Sequence, residues 1–123
     1  MSVPRISKEE LKQRLDAGGT PPVIVDVRLK YPYEHSSVTL PGAIRMLPDA
    51  LDLAALPRDR DIVLYDSDPE ELVSARAAAE LIRRGYRAMA LTGGIAEWVN
   101  AKLPTESKPS PHVPTPSAGA LKG

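Results

Sequence analysis

The sequence contains no cysteine. That absence excludes disulfides, and with them any disulfide-linked partner, together with persulfides, thiolate nucleophiles and cysteine-ligated metals. Phenylalanine is also absent and tryptophan occurs once, so the core is left to Leu, Ile, Val, Ala and Met, which pack by volume and carry no chemistry. Neither sign of charge is in surplus: sixteen basic and sixteen acidic residues cancel, leaving no global field to hold nucleic acid or an anionic membrane. Met1 to Lys12 carries Arg5, Lys8, Glu9, Glu10 and Lys12 with no apolar run behind them. Neither a signal peptide nor a membrane span is therefore expected, and the expected location is the cytoplasm.

What is present predicts one small α/β domain. A chain of 123 residues, 42% of them hydrophobic, suits one core rather than two. Thirteen prolines and eight glycines are many for this length, and the prolines gather after Leu103. The domain is expected to span residues 1–103, with residues 104–123 a disordered Pro/Ser/Thr-rich tail or linker. Ser7 to Glu10 has the form of a capping box, and Leu11 and Leu15 recur at helical spacing before Gly18-Gly19, which predicts a short amphipathic helix. Val23 to Val27 is a β-branched run with almost no alternation, as in a strand covered on both faces. Arg28 to Pro41 lacks periodicity and reads as a long loop, followed by a short strand at Ala43–Arg45 and one or two helical turns within Leu51–Leu56. Ile62–Tyr65 and Ala88–Leu91 are the next strands, with a long helix at Leu72–Arg84 stopped by Gly85 and a last helix at Ile95–Lys102. Strand and helix alternate, so the expected architecture is an open, mainly parallel sheet flanked by helices and joined by right-handed crossovers.

In such sheets ligands sit outside the carboxyl ends of the strands, where a loop entering a helix presents backbone N–H groups. The candidate loop is Asp66, Ser67, Asp68, Pro69, Glu70, Glu71, Leu72, Val73 and Ser74, between the strand ending at Tyr65 and the long helix. Asp26 and Arg28 end the neighbouring strand and are expected to support that loop through an ion pair or hydrogen bonds to its backbone. Arg76, one turn into the helix, is expected to pair with the loop acids. A strand followed by Asp66 and Asp68 also fits a Mg²⁺-dependent hydrolase or phosphatase in which the first carboxylate is the nucleophile. That chemistry needs a lysine and a further acidic pair downstream, whereas the segment after Leu91 offers Thr92-Gly93-Gly94. The acids are read as solvated at a helix start rather than as a ligand set, and His35 and His112 lie far apart in the chain, so no metal and no other cofactor is expected.

Taken in order, a strand with Asp26-Val27-Arg28, then Pro41-Gly42-Ala43-Ile44, a strand ending at Tyr65, Ser74-Ala75-Arg76, Gly85-Tyr86, Leu91-Thr92-Gly93-Gly94, Trp98 and Leu103-Pro104 resemble the rhodanese-like family across the expected domain. The resemblance implies that the residue after the strand tyrosine is the family's nucleophilic cysteine, with loop N–H groups cradling the resulting anion. Here that residue is Asp66. A carboxylate does not carry a sulfane sulfur as a persulfide does, and its charge repels thiosulfate or phosphate, so the resemblance implies a blocked sulfur transfer. Asp68, Glu70 and Glu71 stand where active members generally place glycine, small residues and an arginine. The loop is also long, most similar to a variant with a second cysteine and a Pro-Asn-Glu run where this chain has Asp68-Pro69-Glu70-Glu71. Thr39 and Leu40 replace the family's frequent His-Ile before Pro41. The expected function is a non-catalytic rhodanese-homology module that contacts a protein partner through this loop and through Tyr31 to Ser37. The alternatives are the Mg²⁺-dependent hydrolase at Asp66 and a domain of a larger assembly joined through the segment beyond Pro104.

Overall fold

The segment Val23–Asp26 is buried at every position, which only a strand enclosed on both faces satisfies. Its side chains divide between two cores: Val23 and Val25 join Ile62, Leu64, Ala77, Ala78 and Leu81 on one side, and Ile24 joins Leu11, Val63, Tyr65, Leu91 and Trp98 on the other. The computed structural model describes residues 3–108. Their elements are β1 (Arg5–Ile6), α1 (Lys8–Asp16), β2 (Val23–Asp26), α2 (Lys30–Glu34), β3 (Val38–Thr39), β4 (Ile44–Arg45), a 3-10 turn (Leu53–Ala55), β5 (Asp61–Tyr65), α3 (Leu72–Arg83), β6 (Arg87–Leu91), α4 (Gly94–Asn100) and β7 (Glu106–Ser107). Five strands form one sheet in the order β1-β6-β5-β2-β4, every pairing parallel, and β3 pairs antiparallel with β7 in a separate ribbon. The small α/β domain with a parallel sheet flanked by helices is thus the observed architecture. Among the described residues no helix is long and apolar enough to cross a membrane.

The strand order sets the position of the site. From β2 the chain builds outward to β4 on one side, then returns to place β5 and β6 on the other, between β2 and the edge strand β1 laid down first. The carboxyl ends of β2 and β5 therefore flank the point where the order reverses, the crevice in which open α/β sheets bind ligands. Asp26 and Arg28 leave one of these strands and Asp66 the other.

Several elements follow the residues as expected. The Ser7 hydroxyl accepts the Glu10 N–H at 3.0 Å, half of the capping box, and α1 follows it. Two expectations are corrected, and one element was not expected. The loop expected from Arg28 to Pro41 holds the one-turn helix α2 and the short β3; Pro32 sits in the first turn of α2, where its missing N–H needs no partner. The edge strand β1, only two residues long, was too short for any periodicity to reveal. The domain also continues past Leu103. The indole N–H of the fully buried Trp98 donates to the Pro104 carbonyl at 2.7 Å, and β7 then pairs with β3, so residues 104–108, though mostly exposed, are hydrogen-bonded to the domain. The Lys108 N–H closes on the Ser37 carbonyl at 2.9 Å. The remainder of the expected tail, including His112, lies outside the described residues.

Candidate functional site

Asp66 leaves β5 with its side chain turned inward and only 1% of its surface exposed. One carboxylate oxygen accepts the Asp68 N–H at 2.9 Å and the other accepts the Ser74 N–H at 2.5 Å. Ser74 is the third residue of α3, so its N–H is one of the donors that a helix start leaves without an intrahelical acceptor. The helix's own cap residue, Glu71, gives no side-chain cap and adopts a left-handed conformation, φ 57° and ψ 34°. Asp66 therefore caps α3 from eight residues upstream. Burial pushes its carboxyl above the ordinary aspartate value, against the opposing pull of the Ser74 and Asp68 N–H groups. The Ser74 hydroxyl is fully buried beside the same carboxylate and makes no hydrogen bond of good geometry.

The loop acids do not form the single solvated cluster expected of them. Glu71 is 8% exposed and bridges two other parts of the fold: one oxygen accepts from Arg5 Nε at 2.9 Å and the other from the Gly93 N–H at 2.8 Å. Asp68 spends one oxygen on the Glu70 N–H at 2.8 Å, and its carbonyl accepts the Glu71 N–H at 3.0 Å. Only Glu70 points fully into solvent, with Pro69 and Leu72 exposed beside it and Ser67 and Val73 half-buried. The turn after β6 presses on this loop. The Asp66 carbonyl accepts the Ile95 N–H at 2.9 Å, and a Cβ placed on Gly94 (φ 64°) would stand 2.4 Å from that carbonyl oxygen. Glycine at 94 is thus required by the approach of the loop as well as by its backbone angle.

Across the crevice, Asp26 and Arg28 form the expected ion pair. The guanidinium donates through Nε and Nη2 to the Asp26 carboxylate, at 2.6 Å for the shortest contact, with both side chains 1% exposed. Arg28 Nη2 also donates to the Val38 carbonyl at 3.0 Å, while the Tyr65 hydroxyl donates to Asp26 at 3.0 Å and accepts the Leu40 N–H at 3.2 Å. These bonds fasten the α2–β3 segment to the sheet ends. Burial, reinforced by the Asp26 charge, raises the Tyr65 hydroxyl well above its ordinary value, so it stays a proton donor. The Asp26–Arg28 pair thus braces the α2–β3 segment; the Asp66 loop is braced instead by Asp66 itself and by Glu71. Nothing in the local sequence marks the Glu71 role, because its two partners come from residues far apart in the chain.

Arg76 departs from expectation. It is exposed on α3 and, among the described residues, pairs with none of the loop acids. It lines instead a groove of about 700 Å³ along α3, to which Asp66 contributes nothing. His35 lies exposed at the end of α2, its Nδ1 3.1 Å from the Tyr31 carbonyl oxygen. Among the described residues, no group of three or more His, Asp or Glu side chains is placed to hold a metal ion.

Comparison with known proteins gives these features a lineage. The profile of the Rhodanese-like domain family matches residues 7–101. A tRNA sulfurtransferase of Desulfurococcus amylolyticus is 37% identical over 76 residues, which are 62% of this chain but 14% of that relative's length. Among solved structures, a full-length protein from Lactobacillus plantarum superposes with a TM-score of 0.73 at 26% identity, covering 85% of this chain and 88% of that one. A rhodanese-related protein from Thermoplasma volcanium does so with a TM-score of 0.70 at 21% identity, covering 84% and 97%. The shared parallel sheet and a profile match that runs from the cap of α1 through the end of α4 place the chain in the rhodanese-like domain family, as a member that contains no cysteine.

Proposed function

We propose that the chain is a non-catalytic rhodanese-homology module whose role is to contact a protein partner. The observation that carries this reading is the state of Asp66. At the position where the family resemblance puts a nucleophilic sulfur stands a carboxylate whose two oxygens already accept the Asp68 and Ser74 N–H groups. Two of the loop N–H donors open to an incoming anion are thus occupied by an internal one. A thiosulfate or phosphate entering here would meet negative charge, with the Asp68 and Ser74 N–H groups already taken.

The same geometry argues against Asp66 as a hydrolytic nucleophile. An attacking carboxylate must face the substrate, whereas this one is 1% exposed and turned into its own loop, with Asp68 directed at the Glu70 N–H. The surfaces left for a partner are the rim of that loop, with Pro69, Glu70 and Leu72 exposed, and the α2 face, with Tyr31 71% exposed.

The test is an assay of thiosulfate:cyanide sulfur transfer and of a generic phosphate ester, with and without Mg²⁺, on the parent, Asp66→Ala and Asp66→Cys proteins. No turnover is expected in the parent or in Asp66→Ala, and only weak sulfur transfer in Asp66→Cys, because Asp68 and Glu70 still oppose anion entry. Turnover by the parent that disappears in Asp66→Ala ends the module reading.

A further inference from the structure

The groove along α3 has a composition that neither the loop nor the core explains. Its floor is apolar, from Val73 and Ala77 on the helix and Leu51 and Leu53 on the facing segment. At one end two leucines stand out into solvent, Leu29 at 51% and Leu72 at 64% exposure. At the other end are Arg83 and Arg84, which share a single acceptor in Glu80, and Arg76 stands between the ends without an ion-pair partner among the described residues. Three arginines thus face two carboxylates, Glu80 and Asp49, along this lining. Leucine side chains left in water beside a groove of about 700 Å³ are a surface that gains by being covered, in the volume range of ligand-binding clefts.

We propose that this groove docks an extended segment of a partner protein with apolar side chains at one end and carboxylates at the other. The inference rests on the module reading above and names the chemistry of its partner. Polarity fixes the direction: apolar residues meet Leu29 and Leu72, and carboxylates meet Arg76 and the Arg83–Arg84 end. Length fixes the extent. Leu72 to Arg83 spans twelve helical residues, ~18 Å at the helical rise, which an extended chain covers in about five or six residues. The chain's own residues 109–123 fit this description poorly, since they contain no acidic residue and one lysine, Lys122.

A displayed library of fully randomised hexapeptides, selected on the 123-residue chain, supplies the probe. Enrichment of sequences apolar in one half and acidic in the other is expected. The enriched peptide should bind Arg76→Glu and Leu72→Asp proteins at least roughly fivefold more weakly, both substitutions being at exposed positions that leave the circular dichroism spectrum unchanged. Enrichment without an acidic bias, no enrichment, or equal binding by Arg76→Glu overturns the proposal. So does a large gain in affinity on deleting residues 109–123, which would make the chain's own terminus the occupant. These outcomes are separable from failure of the module reading, because that reading falls on turnover dependent on Asp66 whatever the peptides do.

Discussion

Replacing Asp66 by alanine isolates what its carboxylate contributes. In the native protein the side chain satisfies the Asp68 N–H at 2.9 Å and the Ser74 N–H at 2.5 Å from a position 1% exposed. Alanine leaves both donors facing a site without an acceptor. A buried donor stripped of its partner costs ~1–3 kcal/mol, and the part-buried Asp68 N–H adds a smaller loss to that of the buried Ser74 N–H, ~2–5 kcal/mol gross. An opposing effect is also present: burial raises the Asp66 carboxyl, so removing the charge returns part of its desolvation cost. The net expectation is a loss of ~2–4 kcal/mol, a large part of the stability of a domain this size and a fall in melting temperature of ~10–25 °C. Urea unfolding followed by far-ultraviolet circular dichroism measures it. Asp68→Ala is the comparator, since that side chain accepts one N–H, from the exposed Glu70, and its loss is expected to cost no more than ~1 kcal/mol. An Asp66→Ala protein within ~0.5 kcal/mol of the parent, or no weaker than Asp68→Ala, would show that the carboxylate does not close the loop.

Two other perturbations probe the crevice. Because the folded protein holds the Asp66 proton above the unfolded value of ~3.9, the stability it contributes is full below that pH and is lost as pH rises through the folded value. The stability of the parent minus that of Asp66→Asn, from urea midpoints at a series of pH values from ~3 upward, should therefore fall as pH rises; an increase would mean that the N–H bonds outweigh burial. Arg28→Ala removes the closest ion-pair partner of the buried Asp26, leaving Arg45 at 3.7 Å and the Tyr65 hydroxyl, and is expected to destabilise by ~3 kcal/mol, with Asp26→Ala in that background recovering part of the loss. If the double variant is weaker than Arg28→Ala by the full cost of Asp26→Ala alone, the two residues are not coupled.

The architecture was legible because its signals repeat. β2, β5 and β6 carry apolar residues on both faces, and α3 carries Ala77, Ala78 and Leu81 at helical spacing, so each element had several residues to betray it. β1 and β7 have two residues each, and what holds them is pairing with strands remote in sequence, Ile6 with Leu91 and Thr39 with Glu106. No local pattern carries such information. The same limit applied at the site. Position 66 and the Asp26–Arg28 pair could be read from spacing, but the sorting of four neighbouring acids into inward and outward groups depends on where Arg5 and Gly93 arrive. Arg76 was misplaced for the related reason that charge proximity in sequence says little about which face of a helix a residue occupies.

The substitution at 66 does more than delete a nucleophile. A loop that turns its N–H groups toward one point is poised for an anion, and the free energy of those donors is realised only when an anion is there. A thiol meets that need through an added ligand; Asp66 meets it with its own side chain, one oxygen to the Asp68 N–H and one to the Ser74 N–H. The donors become structural at the same step that the reactive atom is lost, so the loop needs no substrate to complete it. The exterior is organised differently: Leu72 is exposed, and Arg76 faces the α3 groove instead of the loop. The buried face of the loop is braced by its own side chains, and the partner contact proposed above is left to the residues outside it.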